Sequence, residues 1–363
     1  RVKALLDEDN PTSRLKDRYD LQDTQSWTLS EARQALRGGD GWKEGLVQCS
    51  YRPFDQRYCH YRNALMDRPR RILIDHVAGR DNICLNTVRQ TKKDAWRHAL
   101  VSDAPTPAVF IEIKDGSTVF PLYLYPERNP ARLFDDTATS PWQPDPDHGS
   151  RVPNLSKAFV DDFEDSLDLG FDPHKTGNAP GDTFGPRDVL AYIYAIFHSP
   201  TYRERYAEFL KIDFPRMPLT SDVDLLWNLV EKGDDLIDLH LMEHSRLSEQ
   251  ITSFPVPGND VVKRRGGYPK FIPAGESRTK TGEVAENNRV YINLKQYFKG
   301  VPKDVWEFQV GGYQVLHKWL KDRKGRKLSY KDKVHWQKIV VALKETIRLM
   351  NEIDEAIPSW PIE

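Results

Sequence analysis

What this 363-residue chain lacks argues against several classes of function. It has only three cysteines, Cys49, Cys59 and Cys84, with no CxxC pair, and the odd number argues against a disulfide framework and for a reducing, cytoplasmic setting. No stretch approaches the roughly 18 consecutive apolar residues of a membrane span, so no membrane partner is expected. There is no Walker-type phosphate loop (GxxxxGK followed by Ser or Thr) and no GxSxG nucleophile elbow. The nearest approach to a dinucleotide fingerprint, Gly38-Gly39-Asp40-Gly41, is too short and follows no strand. His240 and His244 stand four apart, as metal ligands can on a helix, but no matching Cys or His pair accompanies them, and two ordinary histidines on a helix face are the plain alternative. The chain opens on Arg1, with neither Met nor an apolar leader, which suggests a fragment or processed product.

A pronounced division of charge is what the chain does have. Residues 161–249 carry 19 Asp or Glu against 8 Lys or Arg, and residues 263–333 carry 18 Lys or Arg against 7 Asp or Glu. A net charge of -1 conceals this separation. So dense a positive stretch repels itself unless something anionic compensates, and a duplex phosphate backbone is one such partner. Neutralisation of one block by the other within a single fold is the competing expectation.

Pattern divides the chain into four parts and predicts an α+β protein. Residues 1–125 are expected to be β-rich after a helix within 21–37 that Ser26 or Thr28 caps, with Leu29, Ala32, Ala35 and Leu36 on one side and Gly38, Gly39 and Gly41 ending it. The runs VQCSYRPF, RILIDHV, AVFIEI and TVFPLYLY read as strands, the last two joined as a hairpin through Lys114-Asp115-Gly116-Ser117. Residues 126–188 form a Pro-rich excursion or linker, opening with Pro126, Pro130, Pro141, Pro144, Pro146 and Pro153. Residues 189–250 make a helical acidic unit: two helices meet at Ser199-Pro200, and a third over 221–244 is capped by Ser221 or Asp222 and open to a break at Gly233. Residues 251–363 return to β character, turn at Gly311-Gly312 into a helix, and close with a long amphipathic helix bearing Trp336, Ile339, Val340, Leu343, Ile347 and Met350.

Candidate DNA-binding residues follow from the cations. Lys318, Lys321, Arg323, Lys324, Arg326 and Lys327 fall within ten residues around Gly325, on a helix end and its loop, and suit a phosphate clamp. Lys263, Arg264 and Arg265 precede Gly266-Gly267, a loop free enough to enter a groove. Base reading would draw on Gln309, Gln314, Asn287, Asn288 and Arg289. In YRPFDQR, Arg52 and Arg57 could meet DNA or could be held by Asp55 in a structural pair. Glu112-Ile113-Lys114, with Asp103 before it, is similar to the Glu-x-Lys end of a metal-dependent nuclease site, which gives an enzymatic alternative. A protein interaction module that never touches DNA is a third reading.

The stretches YRPFDQRYCHYR (51–62), RPRRILIDHV (68–77), VFPLYLYP (119–126) and AIFHSPTYRERYAEFLKIDFPRMPL (195–219), with WEFQVGGYQVLHKWLKDRKGR (306–326), are spread along the chain from its N-terminal to its C-terminal part. Together, although they make up only part of the sequence, they resemble the C-terminal target-recognition, or specificity, region of type ISP restriction-modification enzymes, a resemblance that extends over nearly the whole chain. Those single-chain proteins combine a nuclease, a translocating ATPase of helicase type, an adenine-specific DNA methyltransferase and a DNA-reading domain. The resemblance implies sequence-specific duplex DNA recognition and no catalysis by this chain itself. It also implies that S-adenosylmethionine, ATP and Mg²⁺ belong to the methyltransferase and translocase domains of the parent. The half-motifs Asn10-Pro11 and Asn129-Pro130 agree with this, since neither completes the Asn-Pro-Pro-Tyr or Asp-Pro-Pro-Tyr loop that holds a flipped base.

Overall fold

A computed structural model describes residues 2–7, 9–37, 45–126, 140–177, 179–278 and 284–362. Helices α1 (Val2–Leu6), α2 (Thr12–Tyr19) and α3 (Leu29–Arg37) gather around a small core of Leu5, Leu15, Leu29 and Leu36. Thr28 caps α3 by accepting from the Glu31 N–H (3.3 Å), and Ala35 faces outward. The buried Arg33 closes α1 by donating to the carbonyls of Leu5 (3.0 Å) and Asp7 (2.7 Å). The glycines expected to end α3 lie outside the described residues.

Strands β1 (Leu46–Arg52) and β2 (Asp55–His60) form a two-stranded ribbon around a turn at Pro53-Phe54. RILIDHV is not a strand: Arg71–Ile74 is helix α4, because the carbonyls of Arg70 and Arg71 accept from the N–H groups of Ile74 and Asp75 one turn on. A short apolar run fits either state until its backbone finds partners. The hairpin expected at 108–125 is also replaced. Strand β3 (Cys84–Thr87) lies between β4 (Leu100–Ser102) and β5 (Thr118–Pro121), so TVFP pairs with β3. Residues 109–112 are held instead by the turn at 311–313: Gly312 N–H donates to the Ile111 carbonyl (3.0 Å) and the Tyr313 hydroxyl to that of Val109 (2.8 Å). Asp115 is engaged by Thr91 Oγ1 at 3.0 Å.

In the stretch read as a linker, the described part from 140 onward is packed. Strand β6 (Tyr123–Leu124) pairs with β7 (Val152–Pro153), and α5 (Lys157–Leu167) buries Val160, Phe163 and Leu167. Strands β8 (Gly170–Phe171) and β9 (Thr183–Phe184) lead into α6 (Pro186–His198), followed across Ser199 by α7 (Pro200–Arg205) and α8 (Ala207–Leu210). Ser199 caps α7 as its hydroxyl accepts from Tyr202 N–H (3.0 Å). Helix α9 (Val223–Leu241), capped by Asp222, passes through Gly233 unbroken. That glycine is a contact point, since a Cβ there would lie 1.9 Å from the Ala191 carbonyl oxygen of α6.

Strands β10 (Lys270–Ile272), β11 (Arg289–Tyr291) and β12 (Tyr297–Lys299) make a three-stranded antiparallel sheet. The short helix α10 (Lys303–Glu307), the pair β13 (Gln309–Val310) and β14 (Tyr313–Gln314), and α11 (Val315–Lys321) follow. Helix α12 (Tyr330–Ala356) starts at a reciprocal cap in which Ser329 Oγ accepts from Asp332 N–H (3.1 Å) and Asp332 accepts from Ser329 N–H (2.8 Å). Trp336, Ile339, Val340, Leu343 and Ile353 of α12 join α6 and α9 in a core that extends from Phe54 to Ile362. No described helix is long and apolar enough to cross a membrane.

Candidate nucleic-acid interface

The two basic clusters, separated by roughly sixty residues of sequence, are brought together by backbone pairing. After α11 the chain turns at Gly325, with φ +79, and runs beside residues 260–263. Gly325 N–H donates to the Val262 carbonyl (2.6 Å), Val262 N–H to that of Arg326 (3.1 Å), and Leu328 N–H to that of Asp260 (2.8 Å). The guanidinium of Arg264 lies over Gly325, where a Cβ would come within 2.1 Å of Arg264 Nε. The left-handed backbone favours glycine there, and the absence of a Cβ lets the flexible Arg264 side chain settle over the turn. Arg264, Arg265, Lys321, Arg326 and Lys327 are exposed, and Lys263 and Lys324 are half-buried. Among the described residues, none of these seven enters an ion pair. The half-buried His317 registers the resulting field: burial, then Lys321, Lys324 and Lys318, hold its pKa below the usual imidazole range.

Other nominated cations are turned inward. Arg323 is buried, with its two terminal nitrogens on the Asp55 carboxylate (2.9 and 3.2 Å), and its guanidinium stacks 3.3 Å from the Trp319 ring centroid. Arg57 shares that carboxylate at 2.7 Å. Burial works to raise the Asp55 pKa, but the hydrogen bonds from Arg323 and Arg57 prevail and hold it below the ordinary carboxylate range. Lys318 pairs with Asp322 (2.6 Å), one helical turn on. Arg52 is half-buried against Tyr51 and Tyr313. Arg289, on β11, is buried beside Tyr291 and Tyr297. Among the residues considered for base reading, Gln314 donates to the Trp306 carbonyl (2.6 Å) and Asn288 is bound to Ala274 N–H and the Val301 carbonyl (both 2.9 Å). Gln309 and Asn287 remain exposed.

The Asp55–Arg323 pair fastens the turn of the β1–β2 ribbon to the base of the basic turn. His335 adds a second tie, its Nε2 lying 2.8 Å from the Phe54 carbonyl. Between ribbon and helices lies a polar cleft of about 330 Å³ lined by Gln48, Gln56, Arg57, Tyr58 and Lys331, with Trp319 among its walls. Sequence reasoning passed over Gln48, Gln56 and Tyr58. Strand alternation was the available signal, because it places all three on one face.

The other candidates resolve differently. Glu112 is buried, its Oε1 accepts from the N–H groups of Ile113 (2.8 Å) and Lys114 (3.2 Å), and its Oε2 stands 3.6 Å from His98 Nε2. Asp103 accepts instead from Gln56. Among the described residues no three His, Cys, Asp or Glu side chains gather as a metal site. His240 is buried, between the Tyr194 hydroxyl and Thr346 Oγ1 (2.9 Å), and burial brings its pKa down to about 3. His244 lies 3.4 Å from Asp235. Among the described residues no ion pair joins the acidic block to the basic one. The acidic helices pair within themselves, through Arg187 with Asp234 (2.6 Å) and Asp238 (2.8 Å) and Lys175 with Asp188 (2.8 Å).

A family model described as the type ISP C-terminal specificity domain matches residues 1–352. No curated protein matches the chain. Three solved structures share its fold. The chain aligns over its full length with the ATP-dependent type ISP restriction-modification enzyme LlaBIII bound to DNA, at TM-score 0.60 and 17% identity, covering 21% of that chain. In a DrdV–DNA complex the match has TM-score 0.62 and 17% identity over 97% of this chain and 32% of the other. A nuclease-deletion mutant of the type ISP enzyme LlaGI, in complex with a DNA substrate mimic, matches with TM-score 0.58 and 18% identity over 100% of this chain and 30% of that one. The chain therefore spans between about a fifth and a third of the length of these proteins.

Proposed function

The chain belongs to the type ISP C-terminal specificity domain family, and from that premise we propose that it recognises a sequence in duplex DNA on behalf of an adenine methyltransferase and a restriction translocase of the same parent protein. The observation that carries this reading is the basic surface. Lys263, Arg264, Arg265, Lys321, Lys324, Arg326 and Lys327 lie on segments joined by backbone pairing, and among the described residues no acidic side chain of the 161–249 block pairs with them. Seven neighbouring cations with no carboxylate partner among the described residues suit a row of phosphates, and each phosphate neutralised releases condensed counterions.

In this account Arg323 holds the ribbon against the phosphate-binding turn and makes no DNA contact itself. Arg57, half-exposed at the cleft rim, is placed to touch a phosphate while Asp55 fixes its orientation. S-adenosylmethionine, ATP and Mg²⁺ are assigned to the remainder of the parent protein. This fits the fraction of the solved enzymes that the chain spans, and LlaBIII is described as ATP-dependent. A cytoplasmic location goes with the reading, and Cys49, Cys59 and Cys84 are free thiols.

The test is binding to a pool of random duplex DNA at two salt concentrations, followed by sequencing of the retained fraction. Enrichment of one short, asymmetric sequence is expected. Salt-sensitive retention without enrichment would confine the chain to phosphate holding, and absence of retention at both salts would favour a protein interaction module.

A further inference from the structure

The β1–β2 ribbon hydrogen-bonds to no third strand among the described residues, and its register places Gln48 opposite Tyr58 and Ser50 opposite Gln56. These four side chains therefore share a face, on which Gln48 and Gln56 are exposed and Tyr58 is 80% exposed. A two-stranded ribbon is one of the elements the major groove admits. Cations flank it: Arg57, which stacks 3.8 Å from the Tyr51 ring centroid, and Lys331 across the cleft.

The amides on this face form a chain whose direction is fixed by chemistry. Gln56 Nε2 donates to Asp103 Oδ1 (3.2 Å), and Gln48 Nε2 donates to Gln56 Oε1. An ionised carboxylate only accepts, so Asp103 must receive the NH₂ of Gln56, which turns the Gln56 carbonyl toward Gln48. Gln48 must answer with its own NH₂. Among the described residues, one N–H and the carbonyl oxygen of Gln48 have no further partner and are available together on an exposed, anchored strand. A donor and an acceptor so paired match the N7 and N6–H edge of adenine in the major groove.

We propose that Gln48 is a specificity-determining residue that reads one adenine of the target sequence, and that Asp103 is a positioning residue acting on it through Gln56. The proposal rests on the DNA-recognition reading above and deepens it by naming the reader.

The experiment repeats the random-duplex selection with this chain carrying Gln48→Ala, Gln56→Ala or Asp103→Ala, each first checked for an unchanged melting temperature. With Gln48→Ala, the preference for adenine at one position should fall by about 10-fold or more while all other positions keep theirs. Gln56→Ala and Asp103→Ala should relax that same position by a smaller factor, an effect that a merely structural role would not confine to one base pair. Should all three variants select the wild-type sequence at undiminished stringency, the ribbon is not the reader although DNA recognition stands. Should the unaltered chain select no sequence, the recognition reading itself fails, and the proposal with it.

Discussion

The α6–α9 helical layer and the basic face around Gly325 resolve the same electrostatic problem in opposite ways. In the helices, Arg187 is half-buried and spans two carboxylates, Asp234 and Asp238. On the basic face, Arg326 is exposed and has no carboxylate partner among the described residues. The contrast recurs within a single turn, since Arg323, three residues before Arg326, is buried on Asp55. A desolvated cation needs oxygen acceptors to offset the loss of water, a carboxylate for Arg323 and backbone carbonyls for Arg33, whereas a hydrated one can wait for an external anion. Inward-facing charge therefore serves the architecture, and outward-facing charge remains available for binding.

The largest effect that should sharpen this contrast is removal of Asp55. Asp55→Ala leaves the buried Arg323 with the more distant Asp332 carboxylate, 3.8 Å from its Nε, as its ion-pair partner, and we expect a loss of about 3–5 kcal/mol in urea unfolding. An unchanged unfolding midpoint would mean that the pair does not fasten the ribbon.

Next comes acid. The buried His98, His198 and His240 all have pKa values depressed first of all by burial, to about 4 for His98 and about 3 for His240. Below the unfolded value near 6.5, the unfolded chain binds protons that the folded chain refuses, so stability falls as pH drops through 6.5 toward those values. His98 and His240 should each contribute a loss of roughly 2 kcal/mol between pH 7 and pH 5, and His198 a loss of the same sign. Asp55, with its depressed pKa, should lose its contribution only below about pH 4. A melting temperature independent of pH from 7 to 5 would contradict the neutral buried histidines.

Smaller again is Gly233→Ala, whose Cβ would meet the Ala191 carbonyl and force α6 and α9 apart, at a cost of about 1–3 kcal/mol. Smallest is the opposite region: Arg326→Ala or Lys327→Ala should move unfolding by no more than about 0.5 kcal/mol. Should either destabilise the fold as Asp55→Ala does, the separation of architectural from available charge collapses.

What the sequence disclosed and what it hid follow one physical division. Local punctuation was legible: Asp222 and Thr28 as caps, and the joint between α6 and α7 at Ser199-Pro200, because each acts within a few residues. The period of α12 was equally plain. Features settled at long range were not. Arg323 looks like any cation of its cluster until Asp55 arrives from 268 residues away. AVFIEI has a strand's composition, yet the turn at 311–313 claims its backbone. Gly233 has the look of a helix breaker until Ala191 is laid against it. For the candidate interface, the cations were visible in composition, but their union required the pairing of Val262 with Gly325 and Arg326, which no local pattern announces. Strand alternation places Gln48 and Gln56 on one face, but nothing local marks that face as a reader until Asp103, 47 residues from Gln56, orients their amides.

The most direct test of the account is the salt dependence of duplex binding, log Kd against log salt, for the unaltered chain and for variants that remove Arg264 and Arg265, then Lys324, Arg326 and Lys327, then all five. If the two segments form one DNA-binding face, each set should lower the slope by up to about 0.9 for every phosphate contact it makes, and the combined variant should lose the sum. A slope that stays at its unaltered value in the combined variant would contradict the account and leave the basic face without DNA to bind.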